Sequence, residues 1–281
     1  MKKRNIVLKI EDNINPRDVY CTTYQMRNFY RQFADGFFSS LDIMNYIQHH
    51  AAVKKMKKGM RVLDVCCGRG LLLPLMRYYA PDIQEYVGID ISEKNIAEQL
   101  RRSGIREIDN MNEYYPFKIT HLVQSVEDMD QFLKPNSFDL IVYTSAIEHM
   151  QKTAGQRSLE NCYKALKSGG SIFLSCPNTM DKKDPYDTQY AAHVYEWDIN
   201  ELRQGLKDVG FLIQEEYGLV AKTKPLEKWL ISQPKDIQEH YYRLKQYLPT
   251  NWLMAYFPIL YPEIASEILI ICSKQEIKRL L

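Results

Sequence analysis

Four ionisable side chains in this 281-residue sequence stand where they could do chemistry: Asp64, Asp90, Glu148 and His149. Asp64 lies in Arg61-Val62-Leu63-Asp64-Val65, a short apolar run with a strand signal. A turn with two glycines follows, Cys66-Cys67-Gly68-Arg69-Gly70, and then a helix-like run from Leu71 to Met76. Strand, glycine turn and helix let backbone approach a nucleotide-like ligand where no side chain intrudes. About twenty residues on, Tyr86-Val87-Gly88-Ile89-Asp90 reads as a second strand ending in an acid, the position from which a carboxylate accepts ribose hydroxyls. A glycine turn by itself also fits a dinucleotide dehydrogenase or a buried structural turn. Glu148 and His149 follow a further strand signal, Phe138 to Tyr143. An imidazole titrates near neutrality, so His149 is the candidate general base, with a polar rim or helix-capping role as the alternative. Glu148 is expected to orient backbone or neighbouring side chains.

Taken together, Asp64-Val65-Cys66-Cys67-Gly68-Arg69-Gly70 and the spaced Gly88-Ile89-Asp90 resemble class I S-adenosylmethionine-dependent methyltransferases. Within them the chain is most similar to small-molecule enzymes of the quinone-biosynthesis type, which carry a Glu-His after strand four. The family usually has a glycine where Cys66 stands, a small thiol that the turn can accommodate. The resemblance implies S-adenosyl-L-methionine as cofactor, with Gly68 and Gly70 at its methionine end, Asp64 near its amine and Cys66 in the turn. It places Asp90 on the ribose, Ile91 and Val126 against the adenine, and Glu127 or Asp128 on the adenine amino group. It places the stretch beginning at Tyr143 beside the transferred methyl, so Tyr143 is assigned to the cofactor site. His193-Val194-Tyr195-Glu196-Trp197 resembles a His-x-x-Glu-aromatic stretch near the active-site mouth, which makes His193 a candidate substrate contact; loop packing is the alternative.

The elements that must position these residues follow from periodicity. From Lys58 onward strand and helix signals alternate: strands at 61–65, 85–90, 118–124, 138–143, 171–176, 211–215 and 267–272. Helices are expected at about 70–79, from Ser92 to Arg102, at 153–167 closed by Lys167-Ser168-Gly169-Gly170, and from Asp198 to Gly210. Such alternation specifies an α/β doubly wound, mostly parallel sheet; the resemblance makes it Rossmann-like and seven-stranded, with an antiparallel last strand. Two segments lie outside this pattern. Residues 1–57 read as an arm followed by helices with an aromatic stripe, with Ser39 or Ser40 as an N-cap. Residues 58–281 form the cofactor-binding domain, interrupted by a helical insert at about 220–265. Both segments are expected to converge over the carboxyl edge of the sheet as a lid, with Tyr24, Tyr30, Trp229 and Tyr256 as substrate contacts. Core packing or a dimer contact is the alternative for these aromatics.

An apolar content of 45% permits a sizeable core. A net charge of +2 gives no strong nucleic-acid or membrane footprint. No apolar run approaches the roughly twenty residues of a membrane span, and the run after the basic start is too short for a signal peptide. The six scattered cysteines show neither zinc-ligand spacing nor a disulfide framework, so no metal is assigned and a reduced, cytoplasmic protein is expected. The expected partner is a small or peptide-sized acceptor. Two rivals stay open: a nucleic-acid methyltransferase, suggested by Ser175-Cys176-Pro177-Asn178, and an inactive binding protein, suggested by Cys66.

Overall fold

The computed structural model describes residues 39–102, 115–179, 186 and 191–275. Seven strands form one sheet in the order β3-β2-β1-β4-β5-β7-β6. They are β1 (Arg61–Val65), β2 (Glu85–Asp90), β3 (Lys118–Val123), β4 (Phe138–Thr144), β5 (Leu166–Pro177), β6 (Phe211–Val220) and β7 (Glu267–Lys274). β1 to β5 pair in parallel, and β7 inserts antiparallel between β5 and β6. The strands central to the sheet are apolar on both faces, because helices cover both. On one face α4 (Lys152–Ala165) and α5 (Ile199–Val209) bury Leu159, Cys162, Leu202 and Leu206. On the other, α1 (Ser40–Val53) and α2 (Leu72–Tyr79) bury Met44, Val53, Leu73 and Met76. α3 (Glu93–Arg102) connects β2 towards β3. Strand order reverses between β2-β1 and β1-β4, which opens a crevice at their carboxyl ends.

Local chemistry fixes several boundaries. The Ser39 hydroxyl accepts from Asp42 N at 3.2 Å while the Asp42 carboxylate accepts from Ser39 N at 2.8 Å, a reciprocal cap that starts α1. Asp198 caps α5, and Gly210 ends it in the left-handed region at φ 109°. Two expected boundaries are corrected. Lys167 to Gly170 do not close α4, which ends at Ala165; they form the bulged start of β5, where Leu166 already pairs with Phe138. The helix's last carbonyls are met instead by Lys274 from β7, whose Nζ donates to Tyr163 O at 2.7 Å and Leu166 O at 2.8 Å. β6 runs on to Val220 through two register shifts, so the insert's first helix starts only at Thr223.

The insert comprises α6 (Thr223–Ile231), α7 (Lys235–Lys245) and α8 (Thr250–Leu260) around a core of its own, Leu226, Leu230, Tyr241, Leu253 and Phe257. α8 lies across β6 at Gly218. A Cβ there would fall 2.7 Å from Ala265 Cβ and still nearer to Pro258 O. Gly218→Ala is therefore expected to lower stability by about 1–3 kcal/mol through overpacking, read by urea denaturation. Unchanged stability would show that α8 does not sit against the strand. Among the described residues no helix is long and apolar enough to cross a membrane.

Candidate active site

The turn after β1 is built from three left-handed residues. Cys66, Gly68 and Gly70 have φ of 55°, 54° and 71°. Cys66 thus keeps the conformation a glycine would adopt, which explains how a side chain can stand there at the cost of some backbone strain. Asp90 ties the turn down: its Oδ2 accepts from Gly68 N at 2.8 Å, and its Oδ1 accepts from Ser92 N at 2.8 Å and Asn95 Nδ2 at 3.2 Å. Both carboxyl ends, of β1 and β2, are thereby held as one rigid lip. Gly68, Asp90, Ile91, Val126 and Glu127 line a cavity of about 460 Å³ here. Val126 and Glu127 are held in place by Asn161, whose Nδ2 donates to their carbonyls at 3.2 and 2.8 Å.

Asp64 borders an adjoining cavity of about 410 Å³ with Cys66, Gly68, Gln48 and His49. Its Oδ2 accepts from the Tyr86 hydroxyl at 2.8 Å. Burial pushes its carboxyl up to about 7, against the Tyr86 bond and helped by the charge of Asp90. The unfolded chain releases this proton near its ordinary value of 3.8 and the folded chain only near 7, so folded Asp64 binds more protons between these limits. Its contribution to stability therefore falls as pH rises through that window, by an amount on the order of a few kcal/mol. Asp64→Asn is expected to flatten that decline, measured as unfolding free energy against pH for the two cofactor-free proteins. Parallel curves for both would show that Asp64 ionises normally.

The third cavity, of about 550 Å³, shares Ser145 with the other two. Ser145 holds φ 48° just after β4. Its hydroxyl donates to Glu267 Oε1 at 3.1 Å, and its backbone N donates to the Ser175 hydroxyl at 3.0 Å. Ser175 in turn donates to Gln48 Oε1 at 2.6 Å, which joins α1 to the sheet beneath the site. His149 lines both this cavity and the Asp90 cavity. Its Nδ1 lies 2.8 Å from Ala192 O, a group that only accepts, so Nδ1 carries the proton and Nε2 of the neutral ring is an acceptor. The backbone carbonyl of Glu148 accepts from Val194 N at 2.7 Å and Tyr195 N at 3.1 Å. These bonds bring the 193–197 stretch to the site: His193 meets His149 edge to face at 5.1 Å, and its Nδ1 lies 2.7 Å from Glu196 Oε1.

Glu148 is 2% exposed, and its Oε2 has no hydrogen-bond partner among the described residues. Burial raises its pKa, with the neighbouring Glu196 charge adding to the shift. Glu267 is raised likewise, by burial and then by Glu148. Donor atoms of Glu148, His149 and His193 lie within 4.8 Å of one another, close enough for one cation to bridge them. Sequence reasoning had assigned no such cluster, because His193 is distant in the chain and reaches the site only through the Glu148 carbonyl.

The sequence-predicted residues divide as follows. Asp64, Cys66, Gly68, Asp90, Ile91, Val126, Glu127, His149 and His193 line the three cavities. Gly70 shapes the turn, its N bonding Cys67 O at 3.0 Å. Tyr143 is corrected: it points away from the crevice into the core under α4, with its hydroxyl 3.0 Å from that of Ser158. Trp229 and Tyr256 are corrected as substrate contacts, since neither lines these cavities. Trp229 packs on Tyr261 at 4.7 Å within the insert, and Tyr256 meets Phe257 at 5.5 Å while remaining 40% exposed. The insert reaches the site through its ends, Lys222, Pro225 and Glu263 to Ser266, and α1 reaches it through Leu41 and Met44. Tyr24 and Tyr30 lie outside the described residues. Ser145, Gln48 and Glu267 were missed. A left-handed serine has no sequence signal, and the acid heading an otherwise apolar strand looks like a solvated strand end.

The sheet, turn and paired acids define the class of S-adenosylmethionine-dependent methyltransferase folds. The sequence model for the methyltransferase domain matches residues 45–216, and the chain belongs to that family. The mouse ubiquinone biosynthesis O-methyltransferase, a mitochondrial protein, is 33% identical over 132 residues, which are 46% of this chain and 31% of that protein. The Dechloromonas aromatica ubiquinone biosynthesis O-methyltransferase is 26% identical over 198 residues, 70% of this chain and 77% of that one. The chain thus matches about a third of the mouse relative's length and about three quarters of the bacterial one's. In structure it is similar to an S-adenosylmethionine-dependent methyltransferase from Archaeoglobus fulgidus, with a TM-score of 0.54 at 17% identity, covering 88% of this chain and 100% of that one. S-adenosylmethionine is the cofactor of this class. The donor-poor, acceptor-rich lip of Asp64, Asp90 and Glu127 fits a molecule that offers an ammonium, ribose hydroxyls and an adenine amino group.

Proposed function

We propose that this chain is an S-adenosylmethionine-dependent methyltransferase acting on an oxygen or nitrogen atom of a small or peptide-sized metabolite. The observation that carries the reading is the pair of cavities meeting at Ser145, one bounded by the cofactor-type turn and the other by His149. A cavity of about 550 Å³ suits a small acceptor and its partly apolar wall suits an organic body. Asp90 would hold the ribose, Val126 and Ile91 the adenine, and Asp64 the amine at the methionine end. When bound, the cofactor supplies an electrophilic methyl on a sulfonium. The chain's own part is to align the acceptor for in-line displacement, to keep water out and to receive the acceptor's proton. His149 Nε2 is the group placed to receive it, and the half-exposed ring can pass it to solvent.

The test is direct. The full chain is incubated with S-adenosylmethionine labelled in the methyl group and with families of small hydroxyl and amine acceptors. Label is expected in an acceptor, and S-adenosylhomocysteine is expected to bind the chain in calorimetry. Absence of any binding by S-adenosylhomocysteine would defeat the reading. The carboxylates lining the acceptor cavity disfavour a polyanionic nucleic acid there.

A further inference from the structure

The acceptor cavity is lined by four acidic residues, Glu148, Glu196, Glu263 and Glu267, and one lysine, Lys222. Three of the four are buried. An acidic cluster alone marks no site, but here a second feature points to a ligand: Glu148, which borders the cavity at 2% exposure, keeps an oxygen without a hydrogen-bond partner among the described residues. Burying a carboxylate oxygen unsatisfied is costly unless something arrives to pair with it. His149 spends its Nδ1 proton on Ala192 O, which leaves Nε2 facing the same cluster as the Glu148 carboxylate, 4.0 Å from Oε1. The same cavity has apolar lining too, from Leu41, Met44, Val220, Pro225 and Ile264. A bare metal ion would leave that lining unused, and a neutral alcohol would supply a single donor. An alkyl- or arylalkylammonium supplies three N–H donors, a positive charge and an apolar body.

We infer that the methyl acceptor carries a primary or secondary amine, held as an ammonium by Glu148, with its carbon body against the Leu41, Met44 and Ile264 side chains. The inference rests on the methyltransferase reading above and narrows its acceptor from oxygen or nitrogen to nitrogen. The step balances as follows. The bound R–NH3+ gives one proton to His149 Nε2. The freed nitrogen lone pair forms the N–CH3 bond as the C–S bond breaks. The bonding pair stays on sulfur, giving S-adenosylhomocysteine and R–NH2–CH3+. The proton on His149 leaves to solvent. In this scheme Glu148 binds and orients the acceptor, and His149 manages its proton.

The experiment uses the full chain saturated with S-adenosylhomocysteine, in the presence of a metal chelator. 2-Phenylethylamine and its isostere 2-phenylethanol are titrated by calorimetry. The amine is expected to bind at least about tenfold more tightly, since a charge-assisted hydrogen bond in a dry site replaces a neutral one. Glu148→Gln is expected to abolish that preference while leaving S-adenosylhomocysteine affinity within about twofold. Equal binding of amine and alcohol overturns the inference and leaves the methyltransferase reading intact. A preference that appears only when the chelator is replaced by a divalent metal also overturns it, since the cluster is then a metal site. Failure of S-adenosylhomocysteine to bind at all overturns both. Should Glu148→Gln not fold, the amine-against-alcohol comparison on the unaltered chain decides the matter.

Discussion

Replacing His149 by alanine is expected to lower turnover by about a hundredfold or more with cofactor affinity nearly unchanged. The ring stands on the boundary between the cofactor-side and acceptor-side cavities, and its tautomer is set by the 2.8 Å contact to Ala192 O. Its contacts are with Ala192 O, the His193 ring and Glu148 rather than with the turn that holds Gly68 and Asp90, so its removal should leave that lip intact. The loss should fall on kcat rather than on the cofactor's Kd, because proton acceptance belongs to the reaction and not to ground-state binding. Raising the pH should recover part of the lost rate, as more of the acceptor then loses its proton without help. Two measurements check this: single-turnover methyl transfer as a function of pH, and calorimetric titration with S-adenosylhomocysteine. Turnover within about threefold of the unaltered chain would show that alignment alone drives the reaction and that His149 is a rim residue.

The parts of this site legible in the sequence are those specified by local rules. Asp64, Gly68, Gly70 and Asp90 were readable because a strand must end, a turn must take left-handed residues and a second strand must bring its acid alongside. The parallel order of β1 to β5 followed from the alternation of elements, and the antiparallel β7 came from the resemblance. What escaped depends on contacts between distant segments. Tyr143 sits in a strand buried on both faces, and alternation cannot say which face looks toward the crevice; its hydroxyl went to Ser158 beneath α4. Trp229 and Tyr256 looked like cavity walls because of their size, yet three short helices need a core of their own: Trp229 packs against it, and Tyr256 remains 40% exposed. The Gln48–Ser175–Ser145–Glu267 hydrogen-bond chain joins α1, β5, the β4 loop and β7, four segments with no pattern in common. Helical spacing predicted that α1 would pack, but not that Gln48 would turn inward to meet a strand.

Asp90→Ala is expected to weaken binding of S-adenosylmethionine and S-adenosylhomocysteine at least tenfold while the sheet persists. One charged hydrogen bond in a partly dry site is worth roughly 1.5–3 kcal/mol, and ribose offers two hydroxyls. The structure adds a second reason for a large effect. The same carboxylate accepts from Gly68 N, Ser92 N and Asn95 Nδ2, so it clamps the β1 turn to the β2 turn before any ligand arrives. Alanine removes the clamp as well as the acceptor, leaving two backbone N–H groups to find water and the Gly68 turn to loosen. The two contributions can be separated. Asp90→Asn keeps an oxygen that can serve one of the two turns but brings donors where ribose also donates, so it should retain more thermal stability than Asp90→Ala and yet bind the cofactor poorly. Calorimetric titration gives the affinities, and thermal unfolding without ligand gives the clamp's share. Unchanged cofactor affinity in Asp90→Ala would sink the ribose assignment. Equal affinity loss in both variants, with stability lost only in alanine, would assign the binding effect to the acceptor and the stability effect to the clamp.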